Sequence, residues 1–400
     1  MQQLRRILTA LFLMTAALGL ASCSQPAGTD NVDLQHRFQK ELDALHAKYK
    51  FPGATAAFVS PDGAVVVGAV GVSDLETNSP MPNDARMLAA SIGKSFVGAT
   101  AIALVQEGRL DLDKPISTWL GDKPWFSHLP NHDTITLAQL LTHSSGLPDH
   151  VYSEDFEQGL RKKWSAVGNP FEPGDLVGFI LDKPALFEPG KGWAYSDTGY
   201  ILVGMIVEAV SDYSLYEEII DRFLVPLRLG RTSPSNCKVL PGLVAGYMPK
   251  ENHFGLPPAT TVAPGIMAWD PAIEWAGGGF ASNSRDLAIW AKALYEGKAI
   301  AGGNYLDNLL RSAPVAPGVS YGAGVGIREH GPFGKSLGHG GGIPGYSSSM
   351  RYYPAYRVSV AFQVNVDNGM AGGEPLVKDF KDFYEEMEQR LAAVATGQSN

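Results

Sequence analysis

The run Ala89-Ala90-Ser91-Ile92-Gly93-Lys94-Ser95-Phe96 decides how this 400-residue chain reads. A serine hydroxyl is a poor nucleophile until a neighbouring group takes its proton. A lysine three residues later on a helix lies on the same face, one turn away. Phe96, Val97, Ala101, Ile102, Leu104 and Val105 continue with helical spacing, and Gly108 ends the helix. Ser91 then stands at a helix N-terminus, where unpaired backbone N–H groups favour developing negative charge. Ser-x-x-Lys alone occurs by chance in many chains, so the rest of the sequence has to supply its partners.

On the N-terminal side, Leu34, Phe38, Leu42 and Leu45 predict an amphipathic helix over about 33–48. Two β-rich runs, 54–60 and 64–72, flank the turn sequence Pro61-Asp62-Gly63 and predict a hairpin. The middle of the chain is mostly helical, with apolar segments at 137–142, 176–181, 200–210 and 216–224, then a loop-rich stretch over 234–275. A helix is expected over 284–295, strands over 321–328, 347–353 and 357–366, and a charged helix over about 374–394. Strands near both ends with helices between them predict an α/β fold, more narrowly α+β. It would be an antiparallel sheet built from both chain ends and flanked by helices, with a mainly helical subdomain inserted. The expected boundaries are one domain over 34–394, its sheet part at about 34–100 and 276–394 and its helical part at about 101–275.

Arg5 and Arg6 precede an apolar run from Ile7 to Leu20, too short for a comfortable membrane span. The run ends in Leu20-Ala21-Ser22-Cys23, which resembles the lipobox of bacterial lipoproteins. Residues 1–22 are therefore expected to be a signal peptide, Cys23 the lipidated residue and 23–33 a polar tether. Ser24 after the cysteine tilts the expected destination to the outer membrane, facing the periplasm. Cys237 is the other cysteine of the chain, so no disulfide framework is available and stability must come from core burial. The net charge is −9, and it becomes more negative once Arg5 and Arg6 leave. An acidic chain with no basic stripe excludes nucleic acid as a partner. The expected contacts are a small-molecule or peptide substrate and a membrane through the lipid anchor only, with the protein a monomer.

Two further stretches carry chemistry. Tyr195 opens Tyr195-Ser196-Asp197-Thr198-Gly199-Tyr200 after the turn Glu188-Pro189-Gly190. A tyrosine beside a lysine is able to exchange protons with a serine or a leaving group; taken on its own it reads rather as a packed aromatic at a helix start. Gly338-His339-Gly340-Gly341-Gly342 lies before a predicted strand, and its glycines would leave backbone N–H groups uncovered for an oxyanion.

Ser91-Ile92-Gly93-Lys94, Tyr195-Ser196-Asp197 and His339-Gly340-Gly341 occur in the order and spacing of three motifs of the class C β-lactamase and D-alanyl-D-alanine carboxypeptidase superfamily, which also contains esterases and D-aminopeptidases. Leu140-Leu141-Thr142-His143-Ser144-Ser145-Gly146-Leu147, Gly108-Arg109-Leu110-Asp111-Leu112 and Gly277-Gly278-Gly279-Phe280 resemble the same family. The resemblance covers about residues 35–390. It implies Ser91 as the acylated nucleophile and Lys94 and Tyr195 as sharing base and acid work. It places Asp197 where the family has asparagine, His339 to Gly341 on a strand edging the cleft, and the N–H groups of Ser91 and Gly342 in an oxyanion hole. It implies no cofactor and no metal.

Two departures bear on the substrate. His339 and Gly340 replace the Lys-Thr usual in the lactamases, so recognition of a substrate carboxylate should weaken. An ionised Asp197 only accepts hydrogen bonds, whereas asparagine would donate to a substrate carbonyl. Asp197 should also keep Lys94 protonated, leaving Tyr195 as the base and favouring esters or amine-bearing substrates over plain amides and lactams. The expected activity is hydrolysis of D-alanyl peptides, esters or β-lactams through an acyl-enzyme. The competing class is a non-catalytic penicillin-recognising or scaffold protein, against which the intact Ser91, Lys94 and Tyr195 speak. A lipase-type α/β-hydrolase using Ser144 is a further alternative, but position 142 is Thr, and the His-Gly-Gly-Gly element should precede the nucleophile. His143 is expected to be a structural hydrogen-bonding residue. Trp125, Trp164 and Trp193 are expected to pack in the core or rim, and Tyr346 is a candidate wall of the site.

Overall fold

In a computed structural model that describes residues 29–163, 171–303 and 305–398, the two ends of the chain meet in one nine-stranded sheet. In spatial order its strands are Ser79–Pro80, Val65–Asp74, Gly53–Val59, Val358–Val364, Tyr346–Tyr353, Ser336–Ile343, Gly326–Arg328, Val319–Tyr321 and Ala313–Ala316. Every neighbouring pair is antiparallel. Ala57 lies opposite Val67 on one side and Ala361 on the other, so the N-terminal hairpin docks directly on the last strand. The turn of that hairpin uses Gly63 at φ +93°, while Asp62 accepts the Ala64 N–H.

Both faces of the sheet are covered. Helices Thr29–Tyr49 and Phe380–Thr396 lay Phe38, Leu42, Leu45, Phe383, Met387 and Leu391 against Phe58, Val360 and Phe362. On the other face, helix Ser284–Tyr295 packs Leu287, Trp290 and Ala291 toward Ala57, Met350 and Ala361. Asn283 starts that helix by accepting the Asp286 N–H at 2.9 Å. The central strands Gly53–Val59 and Val358–Val364 are therefore buried at every residue. Between the two halves of the sheet sequence lies the helical region, with helices Leu137–Leu141, Glu154–Lys163, Pro173–Gly178, Asp197–Val210 and Leu215–Ile219. Among the described residues no helix is long and apolar enough to cross a membrane.

Several expectations change. The first helix begins at Thr29, inside the stretch expected to be a tether; the signal segment and Cys23 lie outside the described residues. The segment 321–328 is two strands joined by a tight turn, in which the Gly322 N–H bonds the Val325 carbonyl at 2.8 Å. The turn presses on the helix after Ser91: a Cβ on Gly324, at φ +72°, would lie 2.3 Å from the Lys94 carbonyl oxygen. The glycine run around His339, which its own residues place before a strand, is itself the strand Ser336–Ile343, as the family resemblance implies for His339 to Gly341. The last helix starts at Phe380, after Asp379 in the left-handed region at φ 51°.

The sheet face is tied to the nucleophile segment through one tryptophan. Trp290 stacks on Phe96 with ring centroids 4.3 Å apart, and its indole N–H donates to Ser95 Oγ at 2.8 Å. Ser95 Oγ in turn donates to the Ile92 carbonyl. Both aromatic rings are fully buried. Trp290→Ala is expected to lower unfolding free energy by about 3–5 kcal/mol, read from the urea midpoint; a change under about 1 kcal/mol would contradict this anchoring.

Candidate active site

Ser91 lies in the 3₁₀ turn Ala90–Gly93, which runs directly into the α-helix Lys94–Gln106. Ala90 has φ 49°, a conformation costly for a residue with a Cβ, and it sets the sharp entry to the serine. Lys94 is completely buried and donates in three directions: to Ser91 Oγ at 3.2 Å, to Asp197 Oδ1, and to the Gly277 carbonyl. Burial opposes its charge, but Asp197 and Tyr195 outweigh burial and hold the lysine above its ordinary range. The side chain is thus an ammonium with all three protons committed.

Asp197 opens the helix Asp197–Val210, whose N-cap Ser196 accepts the Gly199 N–H at 3.3 Å. Tyr195 precedes that cap. Its ring centroid lies 4.9 Å from Lys94 Nζ and 4.1 Å from the His143 ring. Its hydroxyl is buried and makes no aligned hydrogen bond. Burial raises the phenol, Lys94 lowers it, Asp197 raises it again, and the net direction is upward. At neutral pH the resting group is a neutral phenol beside a cation.

His143 holds this segment in place. Its carbonyl accepts the Ala194 N–H at 3.0 Å, and its ring Nδ1 accepts the Ser196 N–H at 3.2 Å. Burial keeps the ring neutral, well below its usual range. Ser144, the alternative nucleophile, is buried with its hydroxyl paired to Thr142 Oγ1 at 2.9 Å, so the lipase-type reading is withdrawn. Tyr346 is also no wall: it is fully buried, donating to the Val244 carbonyl at 2.7 Å. Trp125 is half-buried against the core, Trp193 packs 6.1 Å from His143, and Trp164 lies outside the described residues.

The strand Ser336–Ile343 pairs with Gly326–Arg328 only as far as Gly338, which leaves the outer edge of residues 339–343 without a strand partner. Its side chains alternate in role. His339 is engaged inside the protein, with Nε2 on the Tyr321 hydroxyl at 2.6 Å, and burial brings it down to about 3. Gly341 faces the nucleophile turn, and a Cβ there would lie 2.3 Å from the Ala89 carbonyl oxygen. A Cβ on Gly340 would meet the Tyr384 hydroxyl, and one on Gly342 would lie 2.1 Å from Asn368 Nδ2.

Ser91, Asp197, Gly277 and Gly342 line one cleft of about 640 Å³. Its far wall is apolar, built from Phe156, Leu160, Phe254, Trp269, Ile273 and Met370. These come from the stretches where the sequence offers no motif. His150 and Glu274 complete the lining. Burial takes His150 down to about 4, leaving it neutral. Asn368, which carries an amide donor to the cleft edge, has no sequence signal; it is set by Asp367, whose carboxylate accepts the Gly369 N–H at 2.6 Å.

The Lys94–Asp197 pair has a testable pH signature. Because the folded lysine titrates above its unfolded value of about 10.4, the stability from this contact is complete at neutral pH and fades only at higher pH. With Asn at position 197, burial dominates and the lysine falls below its ordinary value. Asp197→Asn should then lose about 3–5 kcal/mol at pH 7, and the deficit should narrow toward pH 9.5. Urea midpoints at the two pH values read this, and a deficit that stays constant or widens would contradict the ammonium assignment.

Comparison with known proteins bears on this geometry. The Beta-lactamase family model matches residues 38–377. The chain is 24% identical over 354 residues to Penicillin-binding protein 4* of Bacillus subtilis, covering 85% of this chain and 74% of that one. Against Protein flp of Staphylococcus aureus it is 28% identical over 266 residues, and it spans about half of that relative (49%). Among solved structures, a D-stereospecific amidohydrolase from Streptomyces sp. superposes with TM-score 0.72 at 25% identity, covering 90% of this chain and 98% of that chain. A D-amino acid amidase from Ochrobactrum anthropi SV3 gives TM-score 0.73 at 25% identity, covering 91% and 99%. With the family model matched over most of its length and the Ser91, Lys94 and Tyr195 side chains gathered at one cleft, the chain belongs to the Beta-lactamase family.

Proposed function

We propose that the protein is a serine hydrolase that forms an acyl-enzyme on Ser91. The observation that carries this is the 3.2 Å contact of Lys94 Nζ with Ser91 Oγ, made by an ammonium whose charge Asp197 neutralises. In the first half-reaction Ser91 Oγ attacks the substrate carbonyl carbon. Tyr195, a neutral phenol at rest, relays the proton: its hydroxyl gives its own proton to the leaving amine or alcohol as the C–N or C–O bond breaks and takes the Ser91 proton in its place. Lys94 lowers the energy of the transient phenolate and keeps its own protons. The backbone N–H groups of Ser91 and Gly342 receive the oxyanion. In the second half-reaction water repeats the attack on the acyl-serine, and the acid is released.

The cleft also speaks to substrate class. Among the described residues no arginine or lysine lines it, the adjacent Lys94 is committed, and His150 on the lining and the nearby His339 are neutral. A free substrate carboxylate therefore has no cation to meet, which ranks β-lactams and peptides ending in D-alanine below small esters and amides. We place the protein in the bacterial cell envelope, held by lipid on Cys23.

A fluorophosphonate probe followed by peptide mass spectrometry tests the reading. The label is expected on Ser91, and Ser91→Ala should lower kcat/KM on an ester by about 10³-fold or more. A panel of one ester, one cephalosporin and one D-alanyl-D-alanine peptide should be turned over best at the ester. Labelling at Ser144, or none at all, would overturn the proposal.

A further inference from the structure

Glu274 sits at the floor of the cleft, between the loop that carries Trp269 and the Gly277 turn. Its Oε2 is buried and has no hydrogen-bond partner. A lone buried carboxyl oxygen is costly unless a donor meets it. Lys94 is the nearby cation, but its three protons go to Ser91, Asp197 and Gly277. Tyr216 stands behind Glu274, and its hydroxyl too makes no bond. Asp197 on the same lining is already paired with Lys94, and His150 there is neutral. Among the described residues Oε2 receives no hydrogen bond, and Glu274 itself belongs to the cleft lining.

The backbone holds the residue there at a cost. Trp275, next in the chain, has φ 34° and ψ −117°, a conformation rarely adopted by a residue with a Cβ. Strain of this kind persists where the surroundings over-determine it, and it clusters at binding sites. Beside Glu274 the wall turns apolar at Ile273, Trp269 and Phe254.

We propose that Glu274 is the docking carboxylate for a substrate ammonium, so that the cleft selects acyl groups carrying a free amine beside an apolar side chain. The inference rests on the acyl-enzyme reading and names the substrate class of that same site. An entering ammonium supplies the missing donor to Oε2, and its charge favours the ionised carboxylate over the neutral acid. Burial leaves the empty carboxyl at about 8, so the ligand's charge also brings it to the ionised form. Glu274 is a specificity residue here, since the bond-breaking steps run through Ser91 and Tyr195.

The test uses the full mature protein and a matched pair of substrates. Phenylalanine methyl ester, in both hands, is compared with 3-phenylpropionic acid methyl ester, which lacks only the amine. The wild type is expected to favour the amine-bearing member, in at least one hand, by about 10- to 100-fold in kcat/KM. In Glu274→Gln the ratio should fall to within about threefold, and Glu274→Asp should keep part of it. Thermal unfolding shows that each variant is folded. Calorimetry with benzylammonium and benzyl alcohol on the wild type reads the subsite without turnover, and benzylammonium should bind the tighter. Equal binding of the two, no amine preference in the wild type, or an unchanged ratio in folded Glu274→Gln would overturn the proposal. Fluorophosphonate labelling of Ser91 in the same samples separates the two readings. A labelled protein with no amine preference removes only the ammonium subsite, and an unlabelled one removes the hydrolase.

Discussion

A buried ammonium group organises this molecule. Lys94 has no exposed surface, and a charge removed from water must be paired and hydrogen-bonded or it will neutralise. Its acceptors come from three distant parts of the chain: Ser91 on the turn before it, Asp197 at the head of a helix, and the Gly277 carbonyl at the end of a kinked turn. Satisfying one side chain thus fixes three segments against each other at the junction of the sheet and the helical region. The same contact decides the lysine's chemistry. An ammonium with three committed protons is poorly placed to accept a fourth from serine. It stands as a fixed positive charge, with the Tyr195 ring centroid 4.9 Å from Nζ.

The rest of the cleft is set by what surrounds this charge. Asp197 pairs with it, while Asp149 and Glu274 lie near without pairing and are pushed up by burial to about 7 and about 8. The histidines around the site are pushed the other way. The site is therefore rich in carboxyl groups and poor in available cations, although the fold is shared with proteins named for penicillin binding. The fold explains where Ser91 sits; the local charge balance sets the chemistry of the cleft beside it.

The legible parts of the sequence were those whose signal is local. The hairpin over 53–74 was announced by Pro61-Asp62-Gly63 between β-rich runs, and the helix expected over 284–295 is found as Ser284–Tyr295. Ser91, Lys94 and Tyr195 were legible because the chemistry needs those residue types at recognisable spacings, and the structure brings them together. The strand Ser336–Ile343 was not read as a strand from its own residues, because glycine carries no β preference; it is glycine because Ala89 and Asn368 press against it. The turn at 322–325 was hidden for a similar reason, being shaped by contact with the helix after Ser91. Glu274 and the apolar wall had no signal at all. A lone carboxylate in a loop becomes meaningful only when folding buries it and withholds a partner.

Three residues with a Cβ and a positive φ stand immediately beside this machinery. Ala90, at φ 49°, precedes the nucleophile; His143, at φ 56°, holds the Tyr195 segment; Trp275, at φ 34°, lies between Glu274 and the Gly277 carbonyl. Such conformations cost about 1–3 kcal/mol each. The packing that sustains them is visible: Ser348 Oγ donates to the Ala89 carbonyl at 2.8 Å, and the Ala194 N–H donates to the His143 carbonyl. For Trp275 the Gly279 N–H closes the turn on its carbonyl at 2.9 Å. Ala90 leads directly into Ser91, the His143 ring lies 4.1 Å from the Tyr195 ring, and Trp275 stands two residues before the Gly277 carbonyl that Lys94 meets. The strain and the buried cation belong together: the backbone is bent so that three acceptors converge on one ammonium, and the ammonium's need for those acceptors keeps the backbone bent.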